Sequence, residues 1–173
     1  LAGKILRLTS AGQVPRDNPF AGRADARGEI WSYGHRNPQG IAFHPGTGTL
    51  FSAEFGPLGG DELNVILPGR NYGWPLATTG REYSGRAIRG AAPAVPGFEA
   101  PLRHWEPSIS PSGIAFAPAA GFWRGDLFLA CQSPPGLVRL PMQGDAPGEE
   151  GRLFWNKLRM RHVVFAADGA MLI

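Results

Sequence analysis

Cysteine is almost absent from the sequence: Cys131 is the only one, which excludes an internal disulfide and any zinc site built on several thiolates. Lysine is nearly as scarce, with two among 17 basic residues, and the remaining arginines are scattered without a run. A formal net charge of +3 spread in this way lacks the basic stripe that a nucleic-acid partner needs, so none is expected. No apolar run approaches the ~18 residues of a membrane span. The chain also lacks a G-x-S-x-G elbow, a Walker A loop and a G-x-G-x-x-G turn, which argues against serine hydrolases and against nucleotide or nicotinamide enzymes.

Long segments free of turn formers are missing too. Gly 25 and Pro 17 are distributed along all 173 residues, and with one exception no stretch without either exceeds eight. That leaves no room for long helices. The exception, Arg152 to Asp168, ends in "RHVVFAADG", a β-branched run entering a turn. With 43% apolar residues to form a core, the expected class is all-β with short strands. Cys131, in "LFLACQS", reads as a buried strand residue.

Three segments repeat one pattern of apolar strand, turn and apolar strand: "GIAFHPGTGTLF" (Gly40 to Phe51), "GIAFAPAAGFWRGDLFLA" (Gly113 to Ala130) and "HVVFAADGAMLI" (His162 to Ile173). Their phenylalanines Phe43, Phe116 and Phe165 lie 73 and 49 residues apart. A propeller blade repeats at ~40–50 residues, so the second interval fits and the first implies an insertion, expected to carry "FGPLGGDELN" and "NYGWP". A β-sandwich remains the other source of such repeats.

Polar chemistry gathers in a few places. "FGPLGGDELN" runs a Gly/Pro turn into Asp61 and Glu62, which suits either a surface turn or an oxygen-lined calcium seat. In "YGHRNPQG", His35, Arg36, Asn37 and Gln39 precede an apolar strand. Arg36 there suits a ligand rich in carbonyls or carboxylates, or a structural pair with an acid such as Glu54. Arg159 and Arg161 have the i, i+2 spacing that places both on one face of an extended segment, to grip an anion or to face solvent. None of the four histidines pairs at helical zinc spacing, and His44 reads as a turn residue.

Taken together, "GKILRL" with "DNPF", "IWSYGHRNPQGIAFHP", "EFGPLGGDELN", "GRNYGWP", "PSISPSGIAF" and the "RMR" to "DG" end resemble the glucose/sorbosone dehydrogenase family, the soluble aldose dehydrogenases that use pyrroloquinoline quinone (PQQ). The resemblance implies a six-bladed β-propeller of which this chain supplies roughly the second half. Residues 1–173 would then be a partial propeller domain truncated at both ends, since the chain starts at Leu1 without methionine and stops at Ile173 inside an apparent strand. It also implies that the carbonyls of Gly56 and Pro57 bind the Ca2+ that holds the quinone. Glu62 and the carbonyl of Tyr72 would belong to a second, structural Ca2+ site. Arg36 and Asn37 match the pair that contacts the cofactor near its reactive carbonyl, and Arg159 and Arg161 match the arginines that pair with its carboxylates.

The implied reaction oxidises the C1 hydroxyl of an aldose to a lactone and delivers the electrons to an external acceptor, with Arg36 in an electrostatic role. The family's general base is an upstream histidine that these residues lack, so the chain alone is expected to be inactive. A lysine near the cofactor in some members has no counterpart, because Pro134 and Pro135 stand there, and His162 replaces an aspartate. These departures favour a broad aldose preference over a strict glucose one. The resemblance also implies a periplasmic or secreted location. A different class, a non-enzymatic propeller that keeps calcium and binds a partner through its loops, is the alternative.

Overall fold

The computed structural model describes residues 1–173 and consists of short strands and turns. None of its elements is a helix long and apolar enough to cross a membrane. In chain order the strands are β1 (Lys4–Leu6), β2 (Ile30–Tyr33), β3 (Pro38–Phe43), β4 (Leu50–Glu54), β5 (Asp61–Val65), β6 (Arg103–Trp105) and β7 (Pro111–Phe116). They continue with β8 (Leu127–Gln132), β9 (Pro135–Leu140), β10 (Met142–Gln143), β11 (Ala146–Pro147), β12 (Gly151–Leu153), β13 (Val164–Phe165) and β14 (Met171–Leu172).

Two four-stranded antiparallel sheets dominate, one ordered β3-β4-β5-β6 and the other β7-β8-β9-β12. Two-stranded pairs stand on either side, β1 with β2 and β13 with β14. The first strand of the second sheet, β7, lies against both β3 and β13. First strands of successive sheets packed side by side are the arrangement of propeller blades around an axis. The chain is all-β, a partial β-propeller.

The three sequence repeats fall on β3-β4, β7-β8 and β13-β14, each opening a sheet. The wide first interval comes from an excursion between β5 and β6, over Ile66 to Leu102, which carries "NYGWP". "FGPLGGDELN" is not part of that excursion. Phe55 to Gly60 link β4 to β5, and "DELN" lies within β5, where Asp61, Leu63 and Asn64 are all buried.

Strand alternation decides where the core forms. Along β8, Leu127, Leu129 and Cys131 turn to one side and join Phe51, Leu63 and Trp105 of the neighbouring blade. Phe128 and Ala130 turn to the other, against Leu137, Met160 and Val163. All five β8 residues are fully buried, and each such leucine or phenylalanine contributes about 1.5–3 kcal/mol. A register slip of one residue would exchange the two interiors.

Adjacent blades approach closely at their first strands. A Cβ at Gly40 would collide with the carbonyl oxygen of Ser112, and one at Gly113 would stand 3.0 Å from the carbonyl oxygen of Arg161. The glycine that opens each "GIAF" repeat is therefore the point where the next blade's backbone rests.

Candidate functional site

Glu54, the last residue of β4, is buried and organises the segment that enters β3. One carboxylate oxygen accepts the main-chain N–H groups of Arg36 (2.8 Å) and Asn37 (3.1 Å). The other meets His35 Nδ1 and Asn64 Nδ2, each at 3.1 Å. Of the two alternatives for Arg36, the structural pair with Glu54 is made by its main-chain N–H and not by its guanidinium. The guanidinium is left to donate to the Phe55 carbonyl and the Tyr83 hydroxyl, both at 3.1 Å, and to lie over the rings of Trp74 and Tyr83. Asn37 accepts from Gln39 Nε2 at 2.8 Å.

His35 is committed to structure. Its Nε2 lies 2.8 Å from Ser32 Oγ, and its ring stacks on Tyr72 at 4.4 Å. That stacking requires "NYGWP" to sit beside "YGHRN". Tyr72 N–H donates to the Tyr33 carbonyl (2.9 Å) and Trp74 N–H to that of Gly34 (2.8 Å). At Gly34, with φ 76°, a Cβ would meet the main chain of Tyr72 and Gly73 within 3 Å, so only glycine admits the approach. The Tyr72 hydroxyl, bonded to the main chain at Val65 and Leu67, is pushed up to about 12 by burial.

The two acids of "GGDELN" do different work. Asp61 accepts the N–H groups of Gly56 (2.8 Å), Ile109 (2.9 Å) and Ser110 (2.7 Å) and the Ser108 hydroxyl, so it ties the Gly56 turn to the loop ahead of β7. Glu62 has one partner, Asn64 Nδ2 at 3.1 Å. Burial pushes its carboxyl up to about 7, opposed by that hydrogen bond and reinforced by the charges of Glu54 and Asp61. Asn64 Oδ1 is buried without a partner.

Arg36, Gly56, Glu62 and Tyr72 line one cavity, with Glu54 and Trp74 beside them. The carbonyl oxygens of Gly56, Pro57 and Tyr72 accept no hydrogen bond from the chain. No cluster of three or more Asp, Glu, His or Cys side chains forms a ready metal cage. Free carbonyls beside a carboxylate that lacks a cationic partner are the donor chemistry a hard cation such as Ca2+ takes, so the residues fit the ion.

Arg159 and Arg161 sit on the next blade. Met160 points into the second core while its N–H donates to the Cys131 carbonyl (3.2 Å), and the Arg161 carbonyl accepts from Gly113 N–H (2.8 Å). Anchored in this way, the extended segment turns both arginines outward, as the i, i+2 spacing predicts. Both guanidinium groups reach Gln132 Oε1, Arg159 at 2.7 Å and Arg161 at 3.2 Å. Neither they nor Arg36 pair with a carboxylate. Three unneutralised arginines fit an anionic, carboxylate-bearing cofactor.

The sequence matches the pattern of the Glucose / Sorbosone dehydrogenase family over residues 1–173. The chain belongs to that family. It is 42% identical to "Aldose sugar dehydrogenase YliI" of Escherichia coli (strain K12) over 100% of its own length and 48% of the relative's. Among solved structures it superposes on a crystal structure of glucose dehydrogenase with a TM-score of 0.93 and 48% identity, covering 98% of this chain and 50% of that one. The PQQ-bound form of Aldose Sugar Dehydrogenase from Streptomyces coelicolor gives a TM-score of 0.70 at 36% identity, covering 93% of this chain and 42% of that one. The chain thus spans about half the length of the relatives it matches.

Three residues that shape the site were not singled out from the sequence for these roles: Glu54 as an acceptor of main-chain N–H groups, Asp61 as a loop tie, and Gln132. An acid closing the otherwise apolar strand "LFSAE" was the available signal for Glu54. Nothing in "ACQS" marks Gln132, because its partners lie at Arg159 and Arg161.

Proposed function

We propose that these residues form the cofactor-holding part of a PQQ-dependent aldose dehydrogenase. The observation that carries the reading is that Arg36, which lines the cavity whose free carbonyls and Glu62 suit Ca2+, has no acidic partner, and neither do Arg159 and Arg161 on the next blade. In this reading Gly56 and Pro57 hold the ion that seats the quinone, while Glu62 and Tyr72 hold a structural one. Arg159 and Arg161 take the quinone's carboxylates, and Asn37 contacts it beside Arg36.

When bound, the quinone would supply the hydride acceptor for oxidation of the C1 hydroxyl of the sugar to a lactone. Arg36, fixed by Phe55, Tyr83 and Trp74, offers its remaining N–H donors to a carbonyl oxygen on which charge develops. In this reading, as the family resemblance implies, the general base is an upstream histidine, and neither His35 nor His44 is offered for the role. His35 is bonded through both ring nitrogens, and His44 Nδ1 closes its own turn by accepting from Gly46 and Thr47 N–H. His104 stands on β6, the outermost strand of its blade. The aldose substrate, the external electron acceptor and a periplasmic or secreted location belong to the same proposal.

The test is a titration with PQQ, in calcium and then in chelator, followed by tryptophan fluorescence, for which Trp74 under Arg36 is the local reporter. Saturable quenching that requires calcium is expected. A folded protein that responds to calcium and leaves the quinone unbound would overturn the reading in favour of a calcium-stabilised binding propeller.

A further inference from the structure

Two arginines two residues apart on an exposed segment repel each other, and long side chains in water do not converge without cause. Here both converge on a single atom, Gln132 Oε1, at 2.7 and 3.2 Å. Guanidinium groups only donate, so the amide oxygen must face them and the amide nitrogen must face away. That nitrogen lies 3.3 Å from Ser112 Oγ, on a buried serine at the start of β7. The backbone on either side is fixed as well. Gln132 N–H donates to the Ser110 carbonyl (3.1 Å), and the preceding carbonyl, of Cys131, accepts from Met160 N–H (3.2 Å). Gln132 is thus held from three directions at the end of β8 and presents a neutral acceptor with two lone pairs to two cations.

From this geometry we infer that Gln132 is a positioning residue that gathers Arg159 and Arg161 into one clamp for a ligand bearing carboxylates. Each guanidinium spends one N–H on Gln132 and keeps the others for the ligand. A neutral acceptor is what the task requires, because it draws the cations together without cancelling their charge. A carboxylate at the same place would cancel one of the two charges. The inference rests on the proposed quinone function and adds to it a residue that touches the arginines in place of the reacting atoms.

The experiment measures PQQ affinity by fluorescence in calcium, using the whole encoded protein and the variants Gln132→Leu and Gln132→Glu, alone and combined with Arg159→Ala and Arg161→Ala. Circular dichroism establishes that each variant folds, and the near-isosteric Gln132→Glu keeps the comparison informative if Gln132→Leu does not. Loss of the shared acceptor is expected to weaken binding about tenfold. Gln132→Glu is expected to weaken it by about a further tenfold, and the Gln132→Leu effect should vanish once the arginines are alanine. Equal affinity in wild type and variants would overturn the inference and leave the functional reading standing. So would a Gln132→Leu loss that persists undiminished without the arginines. A wild-type protein that leaves the quinone unbound would overturn both.

Discussion

Replacing Glu62 by glutamine tests whether its carboxylate is a waiting cation ligand or an ordinary structural acid. The carboxyl is held near 7 in the folded chain, against an ordinary value of 4.5, chiefly because burial penalises its charge. The folded state therefore binds the proton more tightly than the unfolded state. Stability falls as pH rises from about 4.5 and levels off above about 7. At about 1.4 kcal/mol per pH unit, the ionised carboxylate costs roughly 3 kcal/mol at pH 8 and under about 1 kcal/mol at pH 5. Glutamine removes that cost and still offers an oxygen to Asn64 Nδ2. In chelator, denaturant unfolding should show Glu62→Gln more stable than wild type by up to about 3 kcal/mol at pH 8, with the difference mostly gone at pH 5. Added calcium should reverse the order at pH 8 by stabilising the wild type alone. A variant less stable than wild type at pH 8 in chelator would refute the reasoning, since the carboxylate would then be satisfied without a cation.

Two further outcomes follow from buried groups. Asp61→Asn turns an amide N–H toward donors that a carboxylate accepts, and should lower stability by about 2–5 kcal/mol in denaturant unfolding; a loss under about 1 kcal/mol would show that the loop ahead of β7 holds itself. The Cys131 thiol, pushed up to about 12 by burial, should react with a disulfide reagent at pH 8 at least about a thousandfold slower than a free thiol, and the rate should recover in denaturant. Prompt reaction of the native protein would place the β8 core within reach of solvent.

Much of the architecture is legible in the residues, because a blade is a local object. "GIAF" and its turn specify a strand pair within a dozen residues, and the spacing of Gly and Pro forbids long helices. Cys131 and His44 stand where their neighbours indicate. What escapes is long-range. "FGPLGGDELN" reads as a turn because glycine and proline dominate its start, yet Leu63 and the buried Asp61 and Asn64 make its end a strand. The side chain of Arg36 was a plausible partner for Glu54, but the acid is closer to satisfaction through two main-chain N–H groups, which offer fixed geometry without ordering a long side chain. Gln132 has no local signature, since its meaning depends on a segment 27 residues away.

The two faces of β8 have a consequence for how the molecule comes apart. No blade owns a private interior: Leu127, Leu129 and Cys131 are shared with the sheet before, and Phe128 and Ala130 with the strands after. Loosening either neighbour exposes one side of β8 and leaves the other sealed. The strand is released only when both seams open, so the end that carries Gln132 keeps its place while the outer strands fray. Rigidity at the rim is thus borrowed from both neighbours, and a clamp mounted there stays set through local fluctuations of either.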